Sequence, residues 1–209
     1  MLTKRRIKSA LTGFALLVSS SFVTAQIQMV PSPPTINAKG YVLMDYQSGK
    51  ILAAGNADTQ MAPASLTKMM TAYIIGQELN QQRLTLKDPV MISDNAWSRK
   101  FPDSSKMFIK PGDQVTVADL TRGIMVQSGN DACVAMAEHV AGSEDAFVSL
   151  MNSWAQQIGM DHSNFVNAHG LDGEGIATTP IDMAILLRRL INDAPEIYKI
   201  YSEKSFTWA

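Results

Sequence analysis

The sequence predicts an α+β fold in which a two-stranded hairpin precedes a block of helices. Two β-prone runs, residues 41–46 and 50–54, flank Gln47-Ser48-Gly49, and this combination is typical of a β-hairpin. Five segments with helical patterns follow them. Because a hairpin alone is barely stable, we expect its strands to have further partners. The order of elements therefore indicates an incomplete α+β domain.

The first predicted helix covers residues 65–79. Its apolar side chains lie around the whole helix rather than along one stripe, which indicates a buried helix. The glycine-rich stretch 164–179 is predicted to be a surface loop. Four more helices are predicted, at 117–126, 130–142, 146–158 and 180–190. A proline in its first turn marks the start of the last of them.

Residues 1–25 have the composition of a secretory signal. Four basic residues among the first eight precede an apolar run at residues 10–23. Small residues then occupy the two positions that a signal peptidase reads, so we expect cleavage after Ala25 and a mature domain at residues 26–209. The apolar run is shorter than the ~20 residues that a membrane-spanning helix needs, although an uncleaved anchor is the alternative.

The charge of the mature chain argues against nucleic acid as a partner. Residues 26–209 carry 14 basic and 19 acidic side chains, a net charge of −5, whereas a phosphate backbone favours basic surfaces.

Cys133 is the only cysteine and has apolar neighbours, so we expect a buried free thiol. The histidines lack the spacing of a metal site and no cofactor is implied; they are His139, His162 and His169.

Ser65 and Lys68 open the predicted buried helix with a spacing that suits nucleophilic catalysis. Three residues along a helix place both side chains on one face, so the amine can reach the hydroxyl. The amine acts as a base only if its pKa is lowered, and the apolar helix supplies the burial that lowers it. The helix N-terminus would favour an oxyanion. The alternative is that Ser65 is only an N-cap and Lys68 extends to water.

Ser128 and Asn130 lie in a short turn between two apolar helices. A second hydroxyl could pass a proton to a leaving amine, and the Asn130 amide could orient both a substrate amide and Lys68. The alternative is simple punctuation, in which Gly129 ends one helix and Asn130 caps the next. The sequence alone leaves both interpretations open.

Four segments carry a family pattern. They are residues 63–71 (PASLTKMMT), 120–130 (LTRGIMVQSGN), 131–137 (DACVAMA) and 169–172 (HGLD). With the hairpin and the secretory signal, they resemble the low-molecular-mass penicillin-binding serine D-alanyl-D-alanine carboxypeptidases. The similarity extends from about residue 36 to the end of the chain.

The resemblance implies a β-lactamase/DD-peptidase-like domain with a central antiparallel sheet and a helical subdomain. The implied enzyme removes the terminal D-alanine of peptidoglycan stem peptides through an acyl-serine, in the periplasm or at the outer face of the cytoplasmic membrane. β-Lactams would inhibit it by acylating the same serine. By position, Ser65 is the nucleophile and an oxyanion donor through its N–H, Lys68 is the general base, Ser128 relays a proton and Asn130 holds the substrate.

One expected motif has no counterpart in the chain. The family has Lys-Thr-Gly or Lys-Ser-Gly on a strand of the cleft, whereas Lys204-Ser205-Phe206 lacks the glycine. The remaining sheet strands, a small second domain and a membrane-associated C-terminal helix are also expected further on, and membrane association is expected only through that region. We therefore expect a fragment of a longer protein that is unstable and nearly inactive alone.

Two other functions fit part of the pattern. A class A-like β-lactamase would need a base for rapid deacylation, for which Glu174 in the glycine-rich loop is the candidate. A non-catalytic peptidoglycan-binding module would explain the missing third motif, although it would not need the residues of the other two.

Overall fold

The structure, a computed structural model, describes residues 34–208, and the predicted signal at residues 1–25 lies outside that range. Within the described range the chain forms two small antiparallel sheets and six α-helices, so the α+β prediction is confirmed. The helices are α1 Lys68–Asn80, α2 Val117–Met125, α3 Asn130–Ala141, α4 Glu144–Ile158, α5 Pro180–Asp193 and α6 Pro195–Lys199.

The predicted hairpin is present. Strand β1 (Tyr41–Met44) pairs antiparallel with β2 (Ile51–Gly55), with Tyr41 opposite Gly55. Asp45 closes the turn by accepting a hydrogen bond of 2.8 Å from the backbone N–H of Ser48. Arg188 on α5 donates to the carbonyl of Tyr46 at 2.9 Å, which fixes the hairpin against this helix.

A second pair of strands was not predicted from the sequence. Strand β3 (Pro89–Met91) pairs antiparallel with β4 (Gln114–Thr116), and Val90 opposite Val115 is the buried pair. Each strand has three residues, too few for an alternating pattern to be recognised. A proline at the first position of a strand further obscures the signal.

The five predicted helices agree with the structure except at their ends, whereas the short helix α6 was not predicted from the sequence. The segment Ala64–Thr67 is a 3-10 turn, so Ser65 precedes α1 rather than belonging to it. Ala64 has φ +47°, a left-handed conformation that an α-helix cannot continue through. Helix α4 begins two residues earlier than predicted because Ser143 caps it, accepting from the N–H of Ala146.

Helix α1 lies at the centre of the described domain and packs against all five other helices. Its burial on every side confirms the prediction from its uniform apolar pattern. Burial of each large apolar side chain contributes about 1.5–3 kcal/mol. The largest fully buried side chains on this helix are Met70, Tyr73, Ile74 and Ile75.

The stretch 164–179 is only in part the surface loop that the sequence predicts. Residues 165, 168–170 and 178–179 are buried while residues 171–175 are exposed, and the backbone forms isolated bridges from Asn164 to Ala177 and from Thr178 to Met61. Glycines indicate turns but do not reveal whether those turns pack against a core. This stretch therefore belongs to the interior of the domain as much as to its surface.

One further expectation concerns burial. Cys133 is a free thiol with no exposed surface, as predicted. In the part of the chain that the structure describes, no helix combines the length and the hydropathy that crossing a membrane requires.

Replacing Gly76, in the middle of α1, with alanine should destabilise the fold. An added Cβ would lie 2.4 Å from the Cβ of Ala194, far inside van der Waals contact. Such overpacking costs about 1–3 kcal/mol, which outweighs the roughly 1 kcal/mol that alanine gains over glycine in a helix. Urea unfolding should show a lower free energy of unfolding for Gly76→Ala.

The matched control is Gln156→Ala, at an exposed position of α4. It should change the free energy of unfolding by less than about 0.5 kcal/mol. A Gly76→Ala protein as stable as the parent would contradict the close approach of α1 to residue 194.

Candidate active site

Ser65 lies on the 3-10 turn before α1 and is exposed to solvent. The turn is held from the other side by the loop around Gly170, which has φ +88°. A Cβ at position 170 would lie 1.9 Å from the carbonyl oxygen of Ala64, so only glycine allows this approach. The backbone that presents the serine is therefore packed directly against the loop of residues 167–171.

Lys68 is the first residue of α1, and only 4% of its surface is exposed. Its Nζ donates to Asn130 Oδ1 at 2.7 Å and to the carbonyl oxygen of His169 at 2.7 Å. The same nitrogen lies 3.4 Å from Ser65 Oγ. The structure thus places the amine between three oxygen atoms, and one of them is the serine hydroxyl.

The surroundings of Lys68 do not stabilise its charge fully. None of the salt bridges within residues 34–208 involves this amine, and burial lowers its pKa below the ordinary value of lysine. Burial also raises the pKa of the nearby Cys133 thiol to about 12, so the thiol is neutral at pH 7. Burial, followed by the charge of Lys68, lowers the pKa of His169 to about 4.

Asn130 is the first residue of α3, and its side chain is fixed at both ends. Its Oδ1 accepts from Lys68, while its Nδ2 donates to Ser104 Oγ at 3.0 Å. Its backbone N–H donates to the carbonyl of Ser105 at 2.9 Å. These contacts orient the amide with its oxygen toward the amine. Ser104 was not identified from the sequence.

Asp131 follows directly and organises the backbone of the loop that contains Met107 and Ile109. Its carboxylate has no exposed surface and accepts from the backbone N–H groups of Met107, at 2.7 Å, and Ile109, at 3.3 Å. Burial raises the pKa of Asp131, and the backbone hydrogen bonds oppose that shift. Asp131 thus binds the backbone of this loop and does not contact the Lys68 amine.

Ser128 lies in the turn between α2 and α3, two residues before Asn130. It has φ +60°, an uncommon conformation for a residue other than glycine, and its side chain is partly exposed. Among the described residues, no side-chain hydrogen bond joins Ser128 to Ser65 or Lys68. The structure therefore brings Ser65, Lys68 and Asn130 into one network and leaves the Ser128 hydroxyl outside it.

The contribution of His169 was missed because it is made by a backbone carbonyl, which carries no sequence signal. The residue is 8% exposed and its ring packs edge-on against Phe101, with centroids 5.5 Å apart.

Two other residues considered in the sequence, Glu174 and Lys204, are both exposed. Within residues 34–208, no cluster of three or more His, Cys, Asp or Glu side chains is arranged to hold a metal ion.

Comparison with known proteins connects this network to a family. Residues 27–209 match the family described as D-alanyl-D-alanine carboxypeptidase. D-alanyl-D-alanine carboxypeptidase DacA of Haemophilus influenzae is 50% identical over 206 residues, which are 98% of this chain and 52% of the relative. DacA of Escherichia coli is 51% identical over 183 residues, 86% of this chain and 45% of that relative.

Solved structures give the same result. Penicillin binding protein 5 from Haemophilus influenzae has a TM-score of 0.84 at 52% identity, over 86% of this chain and 52% of that protein. Penicillin-binding protein D2 from Listeria monocytogenes, in its ampicillin-bound form, has a TM-score of 0.72 at 26% identity, over 85% and 70%. The chain spans about half the length of the two curated relatives. It belongs to the D-alanyl-D-alanine carboxypeptidase family.

Proposed function

We propose that the protein is a serine-type D-Ala-D-Ala carboxypeptidase that removes the terminal D-alanine from peptidoglycan stem peptides. The observation that carries the proposal is the buried Lys68 amine, which lies 3.4 Å from Ser65 Oγ and has no acidic partner among the described residues. A lysine in such surroundings loses its proton more readily and can accept one from the serine. The proposed location is outside the cytoplasm, in the periplasm or on the cytoplasmic membrane.

Ser65 Oγ attacks the carbonyl carbon of the penultimate D-alanine while its proton passes to Lys68 Nζ. The separation of 3.4 Å is long for a hydrogen bond, but such catalytic contacts shorten when substrate is bound. The exposed position of Ser65 gives the substrate access to the hydroxyl. The backbone N–H of Ser65 is one proposed donor to the oxyanion that forms.

Asn130 and Ser128 have different proposed roles. The Nδ2 group of Asn130 carries two hydrogens, of which one is donated to Ser104, so the other can bind a substrate carbonyl. Ser128 is the proposed relay that returns the proton to the leaving D-alanine. Its left-handed backbone conformation is consistent with a functional constraint, because such strain persists where the surrounding structure enforces it.

β-Lactams are the proposed inhibitors, because their strained amide carbonyl offers Ser65 the same target as the peptide substrate. The ampicillin-bound form of the Listeria relative supports this reading. A β-lactamase would need a base to release the acyl group quickly. Glu174 is exposed and has no described side-chain hydrogen bond, so nothing in the structure favours that role.

Labelling of the full-length gene product with a fluorescent penicillin tests the proposal. The parent protein should be labelled at Ser65 in a 1:1 ratio and should release D-alanine from a pentapeptide that ends in D-Ala-D-Ala. Ser65→Ala should not be labelled and should lose at least about 10³-fold in kcat. Ser205→Ala, at an exposed serine in the Lys204-Ser205-Phe206 segment, is the control that should retain both activities.

The same experiment separates the alternatives. Rapid release of the label with penicillin hydrolysis would instead indicate a β-lactamase. Peptidoglycan binding that is indifferent to Ser65→Ala, without D-alanine release by the parent, would indicate a binding module.

The rate of acylation should rise with pH as Lys68 loses its proton. Because burial lowers the pKa of Lys68, the midpoint should lie at a lower pH than the titration of an ordinary lysine. His169, with its pKa near 4, and Cys133, with its pKa near 12, titrate too far away to produce this rise. Stopped-flow acylation at a series of pH values measures the midpoint.

Lys68→Arg is the control for this profile, because a guanidinium stays protonated over the whole range. It should acylate slowly at every pH. A midpoint at or above that of an exposed lysine would contradict the role of Lys68 as base.

Replacing Gly170 with alanine should slow acylation by about 10²-fold, the order of loss expected when a reacting group is displaced by about 1 Å. The new Cβ would collide with the carbonyl of Ala64 and move the neighbouring His169 carbonyl away from Lys68. Gly142→Ala is the matched control, because Gly142 also has positive φ, +83°, but has no atom within 4 Å of an added Cβ. Gly142→Ala should lower the free energy of unfolding but leave the acylation rate unchanged. Equal acylation rates in the Gly142→Ala and Gly170→Ala variants would contradict the proposed collision at position 170.

A further inference from the structure

The carbonyl that holds Lys68 belongs to a turn, residues 167–171, which we call the His169 turn. Asn167 Oδ1 accepts from the N–H groups of His169, at 3.2 Å, and Gly170, at 2.6 Å. The N–H of Leu171 donates to His169 Nδ1 at 3.1 Å. These bonds make the turn rigid internally, but they do not fix its position relative to α1.

Two contacts to Ala168 tie the turn to the helices, in addition to the Lys68 bond to the His169 carbonyl. Thr71, one turn after Lys68 on α1, donates from its hydroxyl to the carbonyl of Ala168 at 2.7 Å. Glu144, the first residue of α4, accepts from the N–H of Ala168 at 3.0 Å through Oε1. The residue before His169 is therefore held by both of its backbone polar groups, one from each helix.

Glu144 also faces the His169 ring. Since His169 Nδ1 accepts a hydrogen bond, the neutral ring carries its hydrogen on Nε2, which lies 3.7 Å from Glu144 Oε1. Burial is the main cause that raises the pKa of Glu144, and the charges of Asp145 and Glu138 add to it. The carboxylate thus contacts both residues that precede Gly170, while Ser143 rather than Glu144 caps the helix.

We propose that Glu144 is a positioning residue that holds the His169 turn so that the His169 carbonyl accepts a hydrogen bond from Lys68. The proposal rests on the proposed function, because it matters only if Lys68 activates Ser65. Without the carboxylate, the N–H of Ala168 loses its protein acceptor, and the tie to α4 at this residue is lost while Thr71 still binds its carbonyl from α1. A polar cavity of about 370 Å³, lined by Glu144, Asp145 and His169, borders the turn and gives it room to shift.

The role depends on an acceptor oxygen and not on negative charge. Glutamine at position 144 keeps an oxygen of the same reach, whereas alanine removes it. The two substitutions therefore distinguish positioning through the Ala168 N–H from an electrostatic effect on Lys68.

The experiment measures acylation by a fluorescent penicillin in the full-length protein, with the rate constant at saturation separated from the half-saturating concentration. Glu144→Ala should lower the rate constant by about 10-fold, a part of the ~10²–10⁴-fold that general base catalysis supplies. The half-saturating concentration should change little. Glu144→Gln should retain the parental rate constant. Asp145→Asn, an exposed neighbour in the same cavity that loses the same charge, should behave as the parent.

Thr71 offers an independent second route if Glu144→Ala does not fold. Thr71→Val removes the other tie to Ala168 and should lower the same rate constant, whereas Thr71→Ser keeps the hydroxyl and should retain it. A Glu144→Ala rate equal to the parent, or a Glu144→Gln rate as low as that of Glu144→Ala, would overturn the proposal while the parent is still labelled. Failure of the parent itself to be labelled at Ser65 would overturn the proposed function and this inference together.

Discussion

The site depends on an amine that is buried among oxygen atoms carrying only partial charge. Lys68 Nζ is held by an amide oxygen and a backbone carbonyl, each at 2.7 Å. A carboxylate in either place would stabilise the ammonium ion and raise the pKa, whereas neutral dipoles orient the amine without fixing its proton. The Lys68 amine is therefore held in one orientation while its pKa stays low. The remaining features of the site act to keep these two oxygens in position.

Two backbone conformations make that arrangement possible. Ala64 is left-handed, so the chain enters α1 through a 3-10 turn that leaves Ser65 exposed while Lys68 is already inside the domain. Gly170 is left-handed as well, and its missing side chain allows the opposing turn to touch Ala64. Ser65 and Lys68 are only three positions apart, yet one is exposed and the other is buried. The contact between the two turns accounts for this difference.

The sequence predicts the parts of this structure that depend on local spacing. The hairpin follows from two β-prone runs around a turn, and the buried helix and the proximity of Ser65 to Lys68 follow from the arrangement of side chains around a helix of about 3.6 residues per turn. Partners that are distant in the chain do not: Asn130 lies 62 positions from Lys68, and His169 lies 101 positions away. Asn130 was still identified, because its side chain belongs to a recognisable turn. The His169 carbonyl was not, since every residue has one, and β3 and β4 were too short to show a pattern.

The first turn of α3 joins the base to a neighbouring loop. Asn130 points its amide oxygen at the base, while the carboxylate of Asp131 binds the backbone N–H groups of Met107 and Ile109. Their Cα atoms are about 3.8 Å apart, a distance set by the trans peptide bond that joins them. A displacement of that loop is consequently passed to the residue that holds the base, because the two contacts are joined by one peptide unit.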